Sequence, residues 1–221
     1  MQLNFRLLIP LTGLALICLS PLTSAFSDPT APVVSAAAAT TETLVVLRHG
    51  EKPHGGLGQL TIQGLNRALA LPNILIGKYG KPDYIFAPDP AVKVDGGKYS
   101  YVRPITTIEP TAIMLGMPVD TQIGFDNIDA LQAELTKPKY ASSVVYVAWE
   151  HGYEDAFAKN MVKTYGGDPT IVPNWDDTDY DMIFVIRLTH TAAGTITESF
   201  TVDHEGLNGK LSTTMPVPAA Q

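Results

Sequence analysis

The side chains most able to do chemistry fall in two short runs and at one separate position. Arg48-His49-Gly50-Glu51 follows an apolar, β-branched stretch at 43–47, and Glu150-His151-Gly152 follows a second one at 143–149. Arg103 stands directly before Pro104, where a helix can begin. A neutral imidazole nitrogen is a competent nucleophile near neutral pH. A guanidinium holds a tetrahedral oxyanion by charge-assisted, often bidentate bonds. Phosphoryl transfer asks chiefly for positioning and charge neutralisation. Arg48, His49, Arg103 and His151 together would supply both, with a histidine nucleophile splitting hydrolysis into two steps.

Such a set works only if the chain brings it to one place. The stretches at 43–47 and 143–149 suit strands buried on both faces, as in a parallel sheet. Parallel strands put their carboxyl ends on one edge, where open α/β sheets bind ligands. Between them, Thr61 can cap a helix carrying Ile62, Leu65 and Leu69, which Pro72 should disrupt. Gly64 within it costs about 1 kcal/mol relative to alanine, so a close approach is expected there. A short strand at 83–87 and a Gly/Asp/Lys loop precede the helix of Arg103 and Pro104, with Ile105, Ile108, Ala112 and Leu115 on one face and a kink expected at Pro110.

Asp126 or Asn127 can cap a helix with Ile128, Leu131 and Leu135 on one face. The strand at 143–149 leads into a helix with Phe157, Met161 and Tyr165, ended by Gly166. Two late strands, 181–188 and 195–202, are joined by a turn near Gly194. Strands alternating with helices predict a three-layer α/β/α sandwich with a mainly parallel central sheet, in a single domain over 42–211.

Four segments in this order resemble the histidine phosphatase superfamily, in its phosphoglycerate mutase-like branch. They are LVVLRHGEKP, LTIQGLNRALAL, RPITTIEPTAIMLG and VVYVAWEHG, within roughly residues 43–165. The resemblance implies a phosphatase acting on small phosphate monoesters through a phosphohistidine on His49. Arg48, Arg103 and His151 would form the phosphate pocket with Gly50 and Gly152, and no metal or cofactor would be needed. His151-Gly152 is similar to the mutase-like branch; the phytase branch usually has His-Asp there. The loop between Pro88 and Arg103 is longer than the family pattern. Glu150 is the favoured proton donor, with Asp126 and Glu51 as alternatives. A non-catalytic phosphate-ligand binding or regulatory member of the same fold and a phosphomutase are the competing readings.

The first 25 residues read as a secretory signal peptide: Arg6, an apolar run from Leu7 to Leu19, and Thr23-Ser24-Ala25 before the expected cut. Cleavage would remove Cys18, the single cysteine, which rules out disulfides, cysteine nucleophiles and cysteine zinc sites in the mature chain. It would leave fourteen basic against 22 acidic residues, a net charge of −8. That balance argues against nucleic acid as partner. The expected protein is periplasmic or extracellular, with no membrane span after cleavage. A flexible lead-in is expected at 26–41 and a disordered tail at 212–221. His54, His190 and His204 lack metal-ligand spacing, Gly55-Gly56-Leu57-Gly58 lacks the spacing of a dinucleotide loop, and the aspartates at 176, 177, 179 and 181 read as a solvated loop.

Overall fold

The computed structural model describes residues 38–217. The expected leader at 1–25, residues 26–37 of the lead-in and residues 218–221 of the tail lie outside them. The first strand, β1 (Thr40–Arg48), is longer than its apolar stretch and begins inside the expected lead-in. Its continuous apolar run has a geometric reason: alternate residues feed opposite faces of the sheet. Leu44 and Val46 join one core, and Val45 and Leu47 join the other, all with no exposed surface.

Thr61 caps α1 (Ile62–Tyr79), its hydroxyl accepting from Gly64 N at 3.1 Å. The helix runs through Pro72 instead of ending there. Pro72 forfeits one backbone bond, but Leu71, Pro72 and Leu75 are buried together, and tertiary packing outweighs the local penalty. β2 (Tyr84–Phe86) follows, then a small hairpin of β3 (Lys93–Val94) and β4 (Tyr99–Ser100). α2 (Arg103–Leu115) has Pro104 in its first turn, continues through Pro110 and ends at Gly116. Asn127, not Asp126, caps α3 (Ile128–Leu135) by accepting from Ala130 N. β5 (Val144–Trp149) leads directly into α4 (His151–Thr164). The chain closes with β6 (Met182–His190) and β7 (Ile196–His204).

Among the described residues, these strands form a five-stranded sheet in the order β2-β5-β1-β6-β7, beside the small hairpin. The α/β class holds, but the sheet is mixed rather than mainly parallel. β2, β5 and β1 run parallel, while β1–β6 and β6–β7 are antiparallel. After α4 the chain does not turn straight into a strand. Residues 165–181 return to the carboxyl edge of β1, so β6 starts beside Leu47 and runs back down the sheet. The turn at Gly194, with φ +79°, then reverses the chain into β7. One core packs Leu131, Leu135, Phe157 and Met161 of α3 and α4 on the sheet; the other packs Leu71, Leu75, Ile108 and Ala112 of α1 and α2. Residues 212–217 form no regular element, but Asn66 of α1 donates to Ser212 O and Thr214 O. No helix of the described residues is long and apolar enough to cross a membrane.

Candidate active site

β1 and β5 end side by side, with Arg48 opposite Trp149 in register, and His49 N donating to Trp149 O at 3.1 Å. This places His49 and His151 at the same sheet edge, with ring centroids 6.4 Å apart. Arg48 and His49 have no exposed surface, and Arg103 and His151 are buried. Four of the expected residues therefore converge in one enclosed place.

His49 is held by its own loop. Its Nδ1 lies 2.7 Å from Gly50 O, so Nδ1 carries the proton and Nε2 the lone pair. Nε2 is buried and has no hydrogen-bond partner among the described residues. Burial lowers the imidazole's pKa well below the usual histidine range, the Gly50 carbonyl opposes this, and the charges of Arg103, Arg48 and Lys52 add to the lowering. The ring is neutral at neutral pH.

The arginines share a second pattern. Arg48 Nη1 donates to the carbonyls of Asp176, Asp177 and Asp179 at 3.2, 2.9 and 2.7 Å, and its guanidinium lies 3.9 Å from the centre of the Tyr180 ring. Arg103 Nη1 donates to Gly56 O at 3.1 Å, and its guanidinium lies 4.7 Å from the centre of the Tyr101 ring. Arg48 Nε and Nη2 and Arg103 Nε are buried without partners among the described residues. Each guanidinium rests on an aromatic face and keeps N–H groups in reserve.

Glu150 is in the site, where it also serves as a helix cap. It caps α4, with Oε2 accepting from Gly152 N at 2.8 Å. Its Oε1 lies 2.8 Å from His151 Nδ1, off the line of a hydrogen bond, as a charge contact. Burial pushes its carboxyl up, but His151, the Gly152 N–H and Lys52 outweigh burial and hold it below the usual range. An ionised helix cap is a poor proton donor.

The two alternative donors fare no better. Glu51 makes two bonds to Arg67, at 2.8 and 3.1 Å, and Asp126 is exposed in the loop before α3. The glycines also need correcting. Gly50 N donates to Thr107 Oγ1 at 2.9 Å and Gly152 N to Glu150, so neither N–H is free for an anion. Gly50 is required by space instead: a Cβ there would lie 3.0 Å from Gly64 O, the close approach foreshadowed by a glycine within α1.

Several participants carry no signal of their own in the sequence. Thr107, one turn along α2 from Arg103, ties that helix to Gly50. Tyr101 and Tyr180 lie 6.0 and 6.3 Å from the His49 ring. Asp177 of the acidic run is not merely solvated: its Oδ1 is 2.5 Å from His151 Nε2, while Trp175 Nε1 pins the run by donating to Asp179 O. Glu154 is enclosed one turn beyond Glu150; burial raises its pKa well above the usual range, Glu150 adds to this and Arg48 opposes it. The long loop after Pro88 packs on the glycine run. Gly58 O accepts from Val102 N and Arg103 N, and at its φ of +70° a Cβ would sit 2.1 Å from Ser100 O. For a metal, His49, Glu150 and His151 each offer a ligand atom within 4.8 Å of the others.

No family model matches the chain, and no curated protein matches it in sequence. Among solved structures, the fold is similar to that of a candidate phosphohistidine phosphatase SixA from Nakamurella multipartitia. The TM-score is 0.53 at 18% identity, over 76% of this chain and 98% of that one. A candidate phosphohistidine phosphatase SixA from Agrobacterium tumefaciens aligns over 74% of this chain and 97% of that one, at 13% identity and a TM-score of 0.47. The first of these is a likeness of fold.

Proposed function

We propose that this chain is a phosphatase that passes a phosphoryl group first to His49 and then to water. The observation that carries the reading is His49 Nε2, a buried lone pair without a partner, between guanidiniums that keep unspent N–H groups. In the first step Nε2 attacks phosphorus while Arg48 and Arg103 neutralise the phosphoryl oxygens, and the bond to the leaving group breaks. In the second, water attacks the phosphohistidine and inorganic phosphate leaves. The residues need no metal for either step. We read the two helix pairs as the outer layers of a three-layer, phosphoglycerate mutase-like sandwich, and the leader at 1–25 as an export signal.

His49→Ala should abolish turnover of an aryl phosphate with circular dichroism unchanged. Rapid quenching of the parent with labelled substrate should trap acid-labile, base-stable label. Activity within about tenfold of the parent would remove His49 from the nucleophile role.

The ionised state of Glu150 favours one second reading, in which the substrate is a phosphoramidate such as the phosphohistidine in the Nakamurella protein's name. A protonated imidazole leaves without help, whereas an alkoxide needs a proton. Glu150→Gln separates the readings. A donor role predicts an alkyl phosphate loss of about 10²–10⁴, with nitrophenyl phosphate turnover spared. The phosphoramidate reading predicts that phosphohistidine is the better substrate and that no such split appears.

A further inference from the structure

We propose that His49, Glu150 and His151 form a binding site for a divalent transition metal of the zinc class, and that filling it blocks the reaction. The inhibitory half rests on the phosphatase reading above; the binding half does not. Each imidazole has one ring nitrogen against an oxygen: His49 Nδ1 is 2.7 Å from the buried Gly50 O, and His151 Nε2 is 2.5 Å from Oδ1 of the exposed Asp177. Those nitrogens carry the protons, because carbonyl and carboxylate oxygens only accept. This places the lone pair of His49 on Nε2, while His151 Nδ1 faces the Glu150 carboxylate, where a metal would take the place of a proton; both nitrogens are buried without a hydrogen-bond partner among the described residues. Glu150 Oε1 is 2.8 Å from His151 Nδ1.

A carbonyl or carboxylate behind each ligating imidazole is the arrangement that fixes tautomer and ring orientation in metal sites. One ligand atom from each of the three residues lies within 4.8 Å of the others. In a tetrahedral site with metal–ligand bonds of about 2.0–2.2 Å, those atoms stand about 3.3 Å apart, so side-chain adjustments of about an ångström close it. Two imidazoles and one carboxylate suit zinc and its neighbours, whereas magnesium and calcium prefer all-oxygen sites. Glu150 and Asp177 set two negative charges against the two guanidiniums. A metal on His49 Nε2 would occupy the lone pair that must attack phosphorus, so it would inhibit.

The test uses the full chain without a histidine tag, stripped of metal, with zinc titrated calorimetrically in the absence of substrate. One zinc per chain is expected. Asp177→Asn should weaken binding about 10–100-fold. Glu150→Gln and His151→Ala should weaken it further, and His54→Ala should leave it unchanged. Cobalt in the same site should show the intense visible bands of a four-coordinate ion. Nitrophenyl phosphate turnover should fall as zinc fills the site, and EDTA should restore it. No zinc binding, or binding that survives His151→Ala, overturns the site and leaves the phosphatase reading standing. Zinc binding in a chain that hydrolyses no phosphate compound overturns the inhibitory role and that reading together, and supports the site. Turnover that requires added zinc supports the site and overturns the inhibition.

Discussion

Arg67 and Arg48 are both fully enclosed, yet the fold surrounds them differently. Arg67 donates to both oxygens of Glu51, to Glu205 and to Asn208, and Asp181 stands 3.5 Å away. Three carboxylates around one guanidinium leave an excess of negative charge, and burial pushes Glu205 up to about 8 in spite of Arg67. This cluster clasps the loop after β1 to α1 and to the two ends of the closing hairpin. Arg48 has no carboxylate within 4 Å among the described residues, and the nearest to Arg103 is Asp95 at 3.9 Å. Their company is carbonyl oxygens and tyrosine faces. A buried guanidinium surrounded by acid is a structural tie, while one kept from acid retains N–H groups without partners, as Arg48 and Arg103 do among the described residues.

Removing each cation in turn tests that distinction. Arg67→Met should have the largest effect. It leaves Glu51 and Asp181 without their counter-charge and the buried Glu205 without its hydrogen-bond donor, and should cost about 3–5 kcal/mol of stability in denaturant unfolding. Loss of activity without loss of stability would place Arg67 with the site instead.

Arg48→Ala should do the reverse. A drop of about 10²–10³ in kcat is expected from removing one donor to the transferring group, with a change of only a few degrees in Tm. Phosphate and vanadate should inhibit the parent and lose potency in the variant. A collapse of Tm like that of Arg67→Met would erase the contrast.

Glu42 extends the comparison to an acid with no arginine at all. It is enclosed on β1, its Oε1 has no partner among the described residues, and burial raises its carboxyl to about 8. The unfolded chain ionises this group near 4.5, so between about 4.5 and 8 the folded state holds more protons. Stability from this group is present in full below that window and falls as pH rises through it. The change should be roughly 2 kcal/mol, smaller than the full shift implies because local opening of the strand lets water reach an ionised Glu42. Glu42→Gln should flatten the stability profile between pH 5 and pH 8. An unchanged slope would mean that Glu42 is ionised in the fold.

What could be read in the chain was what is encoded locally. β1 and β5 announce themselves because both of their faces are buried, and Arg48, His49 and His151 follow by position at their ends. Arg103 is marked by Pro104. What could not be read depends on residues far apart in the chain. The direction of β6 is set by the path of residues 165–181, not by the composition of the strand. Pro72 looked like a terminator because the packing that overrides it lies on another element. That Glu150 caps α4 could not be read, because a helix cap and a proton donor present the same residue type in the same place. Tyr101, Tyr180 and Asp177 acquire their meaning only from the side chains they meet.

The central place of β1 also has a consequence for how the chain is made. Thr43 pairs with Val144, and Val45 with Val185, so the strand that presents His49 is flanked by partners from the far part of the chain. Pairings of such long sequence separation form late and slowly. A nascent chain can complete α1 as soon as it emerges, but the sheet edge that carries His49 is not assembled until residues beyond 180 have left the ribosome. Through most of its synthesis the candidate site does not exist, and it comes together with the last strands.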